Sequence, residues 1–404
     1  MSSVLLGMPA LALSFAITTV SVLVPLALER QSAPPVVIGM VVAGEGLVAL
    51  LLPLWVGPLS DHTKSPWGGR LPYVILGAAL CAPALAGLPY AQAIPNIAGL
   101  MLVFYMGYFT YYPAYRALYP ELVPEAHFAR SQGVQSLLRE VGLVLALTAS
   151  PMLYSVGAPA PFFAAGGVLL AVTALVVLRL RTVVPRSPPP SAGALRPRLP
   201  PAAVRRVLLA NALFEFALSG LKSFVMLYVV VGTGRSPAAA SGLMAIVAVV
   251  AAVAAPLAGW LGDRHGALRV ARVALAVYAL GLFVPCVTRS LWVLIPAMPL
   301  VGFGGTVVMT LSYTLVLQAG PEQSPGGSAG WYELSRGAGV IAGPIVTGAA
   351  IDLLRPVFSS TQGYAAMWLV QALALVASFP LLPRQASPSG SSSGTRNPRP
   401  AGEA

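Results

Sequence analysis

Apolar residues run in long unbroken stretches, at about 6–28, 35–57, 72–92, 97–118, 132–155, 160–181, 204–230, 237–259, 268–288, 291–317, 328–352 and 365–383. Short polar or charged segments separate them. Each stretch is near the roughly 20 residues that cross a bilayer as a helix. The apolarity is continuous rather than alternating, which excludes a barrel whose strands face lipid and lumen in turn. The pattern therefore predicts an all-α integral membrane protein with twelve transmembrane helices. The first stretch lacks a basic leader and is followed by a second span, so it reads as a helix and not as a cleaved signal peptide.

Composition agrees with the pattern. Mean hydropathy is +0.80 and only 9% of the 404 residues are charged, against about a quarter in a soluble globule. Cytoplasmic loops of membrane proteins carry the excess of Lys and Arg. Assigning alternate loops to one side gathers most of them there, from Lys64 and Arg70 to Arg269 and Arg272, and leaves Arg30, Arg235, Arg289 and Arg355 opposite. Both termini are then expected in the cytoplasm. The net charge of +12 is this topological signal together with contact to anionic lipid headgroups, and no nucleic-acid partner is expected. Arg outnumbers Lys 22 to 2 amid abundant Ala, Gly and Pro, which points to a GC-rich bacterial genome and to a bacterial inner membrane.

The spans divide six and six. Residues 183–203 form a Pro- and Arg-rich cytoplasmic linker that is not expected to be helical. The expected units are an N-terminal six-helix bundle at 1–182 and a C-terminal one at 204–384, with 385–404 a disordered Ser/Gly/Pro tail. Helices 4–5 align with helices 10–11 at a shift of 197: Leu118, Pro124, Glu125, Ser131, Gly133, Arg139 and Gly142 meet Leu315, Pro321, Glu322, Ser328, Gly330, Arg336 and Gly339. Parallel repeats of this kind face each other across a midplane site.

The loop Gly57-Pro58-Leu59-Ser60-Asp61 through Arg70 has a reduced copy at Gly259-Trp260-Leu261-Gly262-Asp263-Arg264, with its Asp displaced by 202 positions. Two six-helix halves, a basic linker and a Gly-x-x-x-Asp loop after helices 2 and 8 resemble the major facilitator superfamily over essentially the whole chain. Ser60-Asp61…Ser65…Trp67-Gly68…Arg70…Pro72, followed by Gly77-Ala78 and by Arg116-Ala117-Leu118-Tyr119-Pro120-Glu121, is similar to the sucrose-transporter branch, near the glycoside-pentoside-hexuronide symporters. His62, Pro66, Gly69 and Leu71 stand where that branch has basic residues, and Glu121 replaces its shorter acid. The resemblance implies a secondary active transporter built as two pseudo-symmetric bundles.

In the duplicated loops an Asp at a helix end can accept bonds from the amides of a neighbouring helix, while nearby basic groups bridge to the other half. Asp61, Arg70, Arg116, Glu121, Asp263 and Arg264 are the expected gating residues. Seven ionisable residues sit well inside spans, Glu45, Arg139, Glu140, Glu215, Lys222, Glu333 and Arg336. Each is costly in hydrocarbon and calls for a partner or a water-filled cavity. Four acids against three bases leave one acid to spare, as a cation-coupled carrier needs, because burial favours the neutral form of a carboxyl group. A purely structural set of pairs is the alternative. Glu45, Glu140, Glu215 and Glu333 are the proton-coupling candidates.

Helical spacing sorts the rest. Asn211, Glu215, Ser219 and Lys222 share one face of helix 7. On helix 5, Gln132, Gln135 and Arg139 share a face, and Glu140, about 100° away, is not expected to pair with Arg139. Helix 11 offers Trp331, Tyr332, Glu333 and Arg336, the last two at an i,i+3 ion-pair spacing. Tyr105, Tyr108, Tyr112, Tyr115 and Tyr119 line one face of helix 4, a surface that suits the C–H face and hydroxyls of a sugar, with Tyr108 and Tyr112 preferred over the ends; a packed interhelical seam is the alternative. Ser14/Thr18/Ser21 and Thr306/Thr310/Tyr313 are milder stripes. The expected substrate contacts are Tyr108, Tyr112, Gln135, Arg139, Asn211, Lys222, Trp331, Tyr332 and Arg336.

His62, His127 and His265 all lie in loops, Cys81 and Cys286 in apolar runs, and no nucleotide-binding or metal-ligand spacing is present. No enzyme and no cofactor is expected. The reading is proton-coupled uptake of a sugar or glucoside by a monomer, with sodium as the other possible ion. A proton-driven exporter of amphipathic compounds is the first rival. Exporters of the superfamily commonly carry Gly-x-x-x-Gly-Pro in helix 5, whereas here Gly339-Val-Ile-Ala-Gly343-Pro344 lies in helix 11. A non-transporting sensor or assembly protein is the second rival.

Overall fold

The computed structural model describes residues 3–63, 65–67, 69–123, 125–181, 200–288, 290–319 and 325–383. Among them twelve α-helices follow one another: α1 (Ser3–Arg30), α2 (Pro35–His62), α3 (Leu71–Gly87), α4 (Ile94–Leu122), α5 (Glu125–Val156), α6 (Ala160–Leu180), α7 (Ala202–Leu227), α8 (Pro237–His265), α9 (Ala267–Val287), α10 (Leu291–Ala319), α11 (Pro325–Leu353) and α12 (Ala366–Ser378). Proline at the first or second helical position starts α2, α3, α6 and α8, where its missing N–H costs nothing. Ser236 caps α8 by accepting from the Ala239 amide, and Gly266, at φ +86°, separates α8 from α9.

Every expected span falls on one of these helices. Ten are long and apolar enough to cross a membrane. The other two are α4, whose tyrosines lower its hydropathy, and α12, which with its 3₁₀ extension covers only Ala366–Leu381. The expected linker needs a correction at its end: α7 begins at Ala202, so Ala202 and Ala203 are helical. Most of that segment and the tail at 385–404 lie outside the described residues, as do Lys64 and Gly68.

The repeat is visible in the helix limits. A shift of 197 carries Ile94 to Leu291 and Leu122 to Ala319, the bounds of α4 and α10, and carries the end of α5 to the end of α11. Packing repeats as well: α1 packs along α5 in one half, and α7 along α11 in the other. Both seams close on a glycine. A Cβ at Gly142 would collide with the Leu11 carbonyl of α1, and one at its counterpart Gly339 with the Ala212 carbonyl of α7. Gly339→Leu is therefore expected to lower the melting temperature of the detergent-purified protein, as overpacking by about 1–3 kcal/mol does. Gly167→Ala, where nothing lies within 4 Å, should leave it unchanged, and equal melts would refute the close-packed seam.

The halves meet where α2 packs along α11 and α5 along α8. Along α2 the seam is tight at Gly39 and Gly46, which abut Pro344 and Ile341, and it reaches Leu50 opposite Gly337. Further on, Gly57 has nothing within 4 Å of a Cβ position. The two halves are thus closed at the end holding the α1–α2 and α11–α12 connections.

Candidate functional site

Five of the seven intramembrane charges, Glu45, Glu215, Lys222, Glu333 and Arg336, converge where α2, α7 and α11 meet. Asn211, Glu215 and Ser219 do share one face of α7, but that face packs on α11: Asn211 Nδ2 donates to Ser335 Oγ at 2.9 Å, and Ser219 Oγ to the Val340 carbonyl at 3.1 Å. Glu215, on the same face, lies 3.5 Å from Arg336 Nε, and Arg336 NH1 is 3.0 Å from Glu333 Oε2. One guanidinium therefore serves two carboxylates. Their settings differ: the Glu215 side chain is 9% exposed and that of Glu333 62%.

Lys222, about two helical turns beyond Glu215, turns to the other half. Its ammonium lies 3.6 Å from Glu45 Oε2 on α2. This ion pair crosses between the halves, and Glu45 and Lys222 both lie within electrostatic range of Glu215. Glu45, Glu215 and Glu333 against Lys222 and Arg336 leave this cluster one negative charge in excess when all are ionised. An excess charge in a partly buried cluster is relieved by taking up a cation.

On α5 the structure corrects an expectation. Arg139 NH2 bonds Glu140 Oε1 at 3.0 Å although the two are neighbours in sequence. The long guanidinium arm, more than half exposed, reaches around the helix to close the 100° gap. Gln135 and Asn211 also depart from the expected lining. Both are buried, Gln135 against α1 beside Gly7 and Asn211 against α11, and in this conformation neither is open to solvent. The side chain of Gln132 lies outside the described residues.

The tyrosine face of α4 divides. Tyr105 and Tyr115 are buried, and the Tyr115 hydroxyl donates to the Leu6 carbonyl of α1. Tyr108 and Tyr112 are half-buried and stacked, with centroids 5.9 Å apart and planes at 12°. Arg116 covers Tyr112, its Cζ 5.6 Å from the ring centre and its NH1 donating to the hydroxyl at 3.0 Å. Arg139 and Arg336, from opposite halves, both lie within electrostatic range of Tyr108. On α11, Tyr332 shares a hydrogen bond with Ser312 and meets Tyr313 edge to face at 5.1 Å; Trp331 beside it is half-buried. A separate apolar groove of about 230 Å³ between α2 and α4, lined by Met40, Val41, Gly44, Ala98, Leu102 and Tyr105, holds none of these charges.

Of the expected gating groups, Arg70 is buried and donates to Ser60 Oγ at 3.1 Å, which braces its own loop. Arg264 lies over the Trp260 ring at 5.4 Å, and Asp263 is exposed. The side chains of Asp61 and Glu121 lie outside the described residues. Among the described residues no group of His, Cys, Asp or Glu is arranged to hold a metal ion.

The model of the Major Facilitator Superfamily matches residues 8–344 and 207–402. The chain belongs to the major facilitator superfamily. Solved transporter structures share its fold. A bacterial homolog of the human lysosomal transporter Spinster, inward-facing and unoccupied, superposes at a TM-score of 0.76 over 94% of this chain and 95% of its own, with 16% identity. The nucleoside transporter NupG gives 0.77 over 94% and 98% at 13% identity, and the POT family transporter PepTSo 0.72 over 94% and 96% at 12%. No curated protein sequence matches the chain significantly. A multi-pass transporter fold is what these likenesses show, and they span solutes of several classes.

Sequence reasoning missed one polar residue at the seam, Asp352 in the last turn of α11, which accepts a hydrogen bond from the Val36 amide of α2. A signal was present: an acid at a helix C-terminus opposes the helix dipole and calls for a compensating partner.

Proposed function

We propose that this facilitator is a proton-coupled secondary transporter that takes up a sugar or glucoside by alternating access. The single observation carrying the coupling is Arg336 shared between Glu215 and Glu333, which leaves one carboxylate able to accept a proton without breaking the other pair. Glu45 and Glu140 are the further proton-coupling candidates. The Tyr108–Tyr112 stack, within electrostatic range of Arg139 and Arg336, supports a sugar, whose C–H face would lie on rings while hydroxyls meet those two arginines. The loop resemblance to the sucrose and glycoside-pentoside-hexuronide branch supports the same class. We place the protein as a monomer in a bacterial inner membrane, both termini cytoplasmic, with Asp61, Arg70, Glu121 and Asp263 gating the cytoplasmic side.

A second reading is a proton-driven exporter of amphipathic cations, which the same two features favour: stacked rings and an excess negative charge. A thermal-shift screen of the purified protein against sugars, glycosides and hydrophobic cations, followed by proteoliposome flux on each hit, separates the two. Stabilisation by a glycoside with flux driven by a proton gradient is the expected result. Stabilisation by hydrophobic cations alone makes the exporter reading the correct one, and sodium-driven flux refutes the proton.

Tyr112→Ala is expected to weaken binding of the glycoside hit by about 0.5–1.5 kcal/mol, the worth of an aromatic face beyond its area. Tyr112→Phe keeps the ring and loses only the Arg116 bond, so its titration should lie nearer the wild type. Equal affinities in all three proteins would remove the stack from the binding site.

A further inference from the structure

α2 starts on consecutive prolines, and its N-cap residue Pro34 supplies no side-chain cap. The first turn of a helix leaves amides without intrahelical partners and carries the positive end of the dipole. At Val36, the first residue of α2 with an N–H, the partner comes from the other half: the amide donates to Asp352 Oδ2 at 3.0 Å. Asp352 is the penultimate residue of α11, where a carboxylate is unfavourable for its own helix and favourable only against the positive end of another. The backbones are brought together by glycines. A Cβ at Gly348 would strike the Pro35 carbonyl, and one at Gly39 the Pro344 carbonyl.

We propose that Asp352 is a gating residue that caps α2 in trans, and does so only while the two halves are closed at this end. When that end opens, α2 and α11 part, and the Val36 amide and the carboxylate return to water. A contact present in one state and absent in the other weights the equilibrium between them. The absence of a cap in cis is part of the device, because a cap carried by α2 itself would satisfy both states alike. The Glu45–Lys222 pair joins α2 to α7 rather than to α11 and crosses the halves independently.

The test is a spin-label distance measurement on the full-length protein in nanodiscs, with Cys81 and Cys286 replaced by Ala and labels at Tyr90→Cys and Val357→Cys. Both label sites are exposed and on opposite halves, Tyr90 in the α3–α4 connection, which Gln31 of the α1–α2 connection bonds at Ala91, and Val357 in the α11–α12 connection. Asp352→Ala is expected to raise the ratio of long to short distances by roughly two- to thirtyfold, the range of a lost helix cap. Asp352→Asn, which keeps an acceptor and loses the charge, should fall between and serves if the alanine variant does not fold. Pro34→Ser provides the cap in cis and should shift the ratio in the same direction while the melting temperature holds. A purely structural cap would not move the distances in Pro34→Ser. Unchanged distance distributions in the folded Asp352 variants overturn the proposal. The measurement needs no substrate, so its outcome is independent of which solute is carried.

Discussion

Arg336→Ala is expected to be among the most damaging single substitutions in this protein, and Glu215→Gln in the same chain is expected to reverse much of the damage. Arg336 is the close partner of Glu215 and also holds Glu333. Its removal leaves the Glu215 carboxylate nearly buried beside Glu45 and Glu333, with Lys222 the remaining base of the cluster. Breaking a buried pair from one side costs about 3–5 kcal/mol. Here about half of the guanidinium side chain is exposed, so screening places the loss nearer about 2–3 kcal/mol. The measurement is a double-mutant cycle of thermal melts in detergent, repeated over pH. Protonating Glu215 removes the unpaired charge, so the deficit of Arg336→Ala should shrink as pH falls and should be nearly flat with pH once Glu215→Gln is present. A deficit independent of both pH and residue 215 would show that Arg336 contributes packing alone.

The helices were legible because hydrocarbon thickness and continuous apolarity leave few alternatives, and the internal repeat checks itself: the shift read from Arg139 and Arg336 also maps the limits of α4 onto α10. The seven charged positions were legible because each is expensive where it stands. Their partners were not. A helical wheel gives the face a side chain occupies but not the helix that faces it, which is why Asn211 and Gln135 read as lining and proved to be seam residues. Nor does it give the reach of a long arm, so Arg139 was denied the neighbour it bonds. Lys222 reads as sharing a helix face with Glu215, and its partner Glu45 is supplied by the other half. The trans cap at Asp352 needs the tertiary approach of α11 to α2, which no local pattern encodes.

Glu215→Gln alone is expected to separate binding from energisation. Glutamine imitates the protonated acid in shape and charge, and it leaves Arg336 fully available to Glu333. The variant should bind solute and exchange it across the membrane, yet lose accumulation driven by a pH gradient. The two acids at Arg336 are not equivalent: the one in the drier setting gains more from neutralisation, and Glu215 is far less exposed than Glu333. Glu333→Gln should therefore keep most gradient-driven uptake. The comparison is made in proteoliposomes with an imposed pH gradient against counterflow in the same preparation, so a folding defect lowers both and an uncoupled carrier lowers only the first. If Glu215→Gln concentrates solute as wild type does, the coupling proton rides elsewhere, and Glu45 is next. Its neutralisation would also release Lys222 from the opposite half, so a coupling acid there would carry the gate with it.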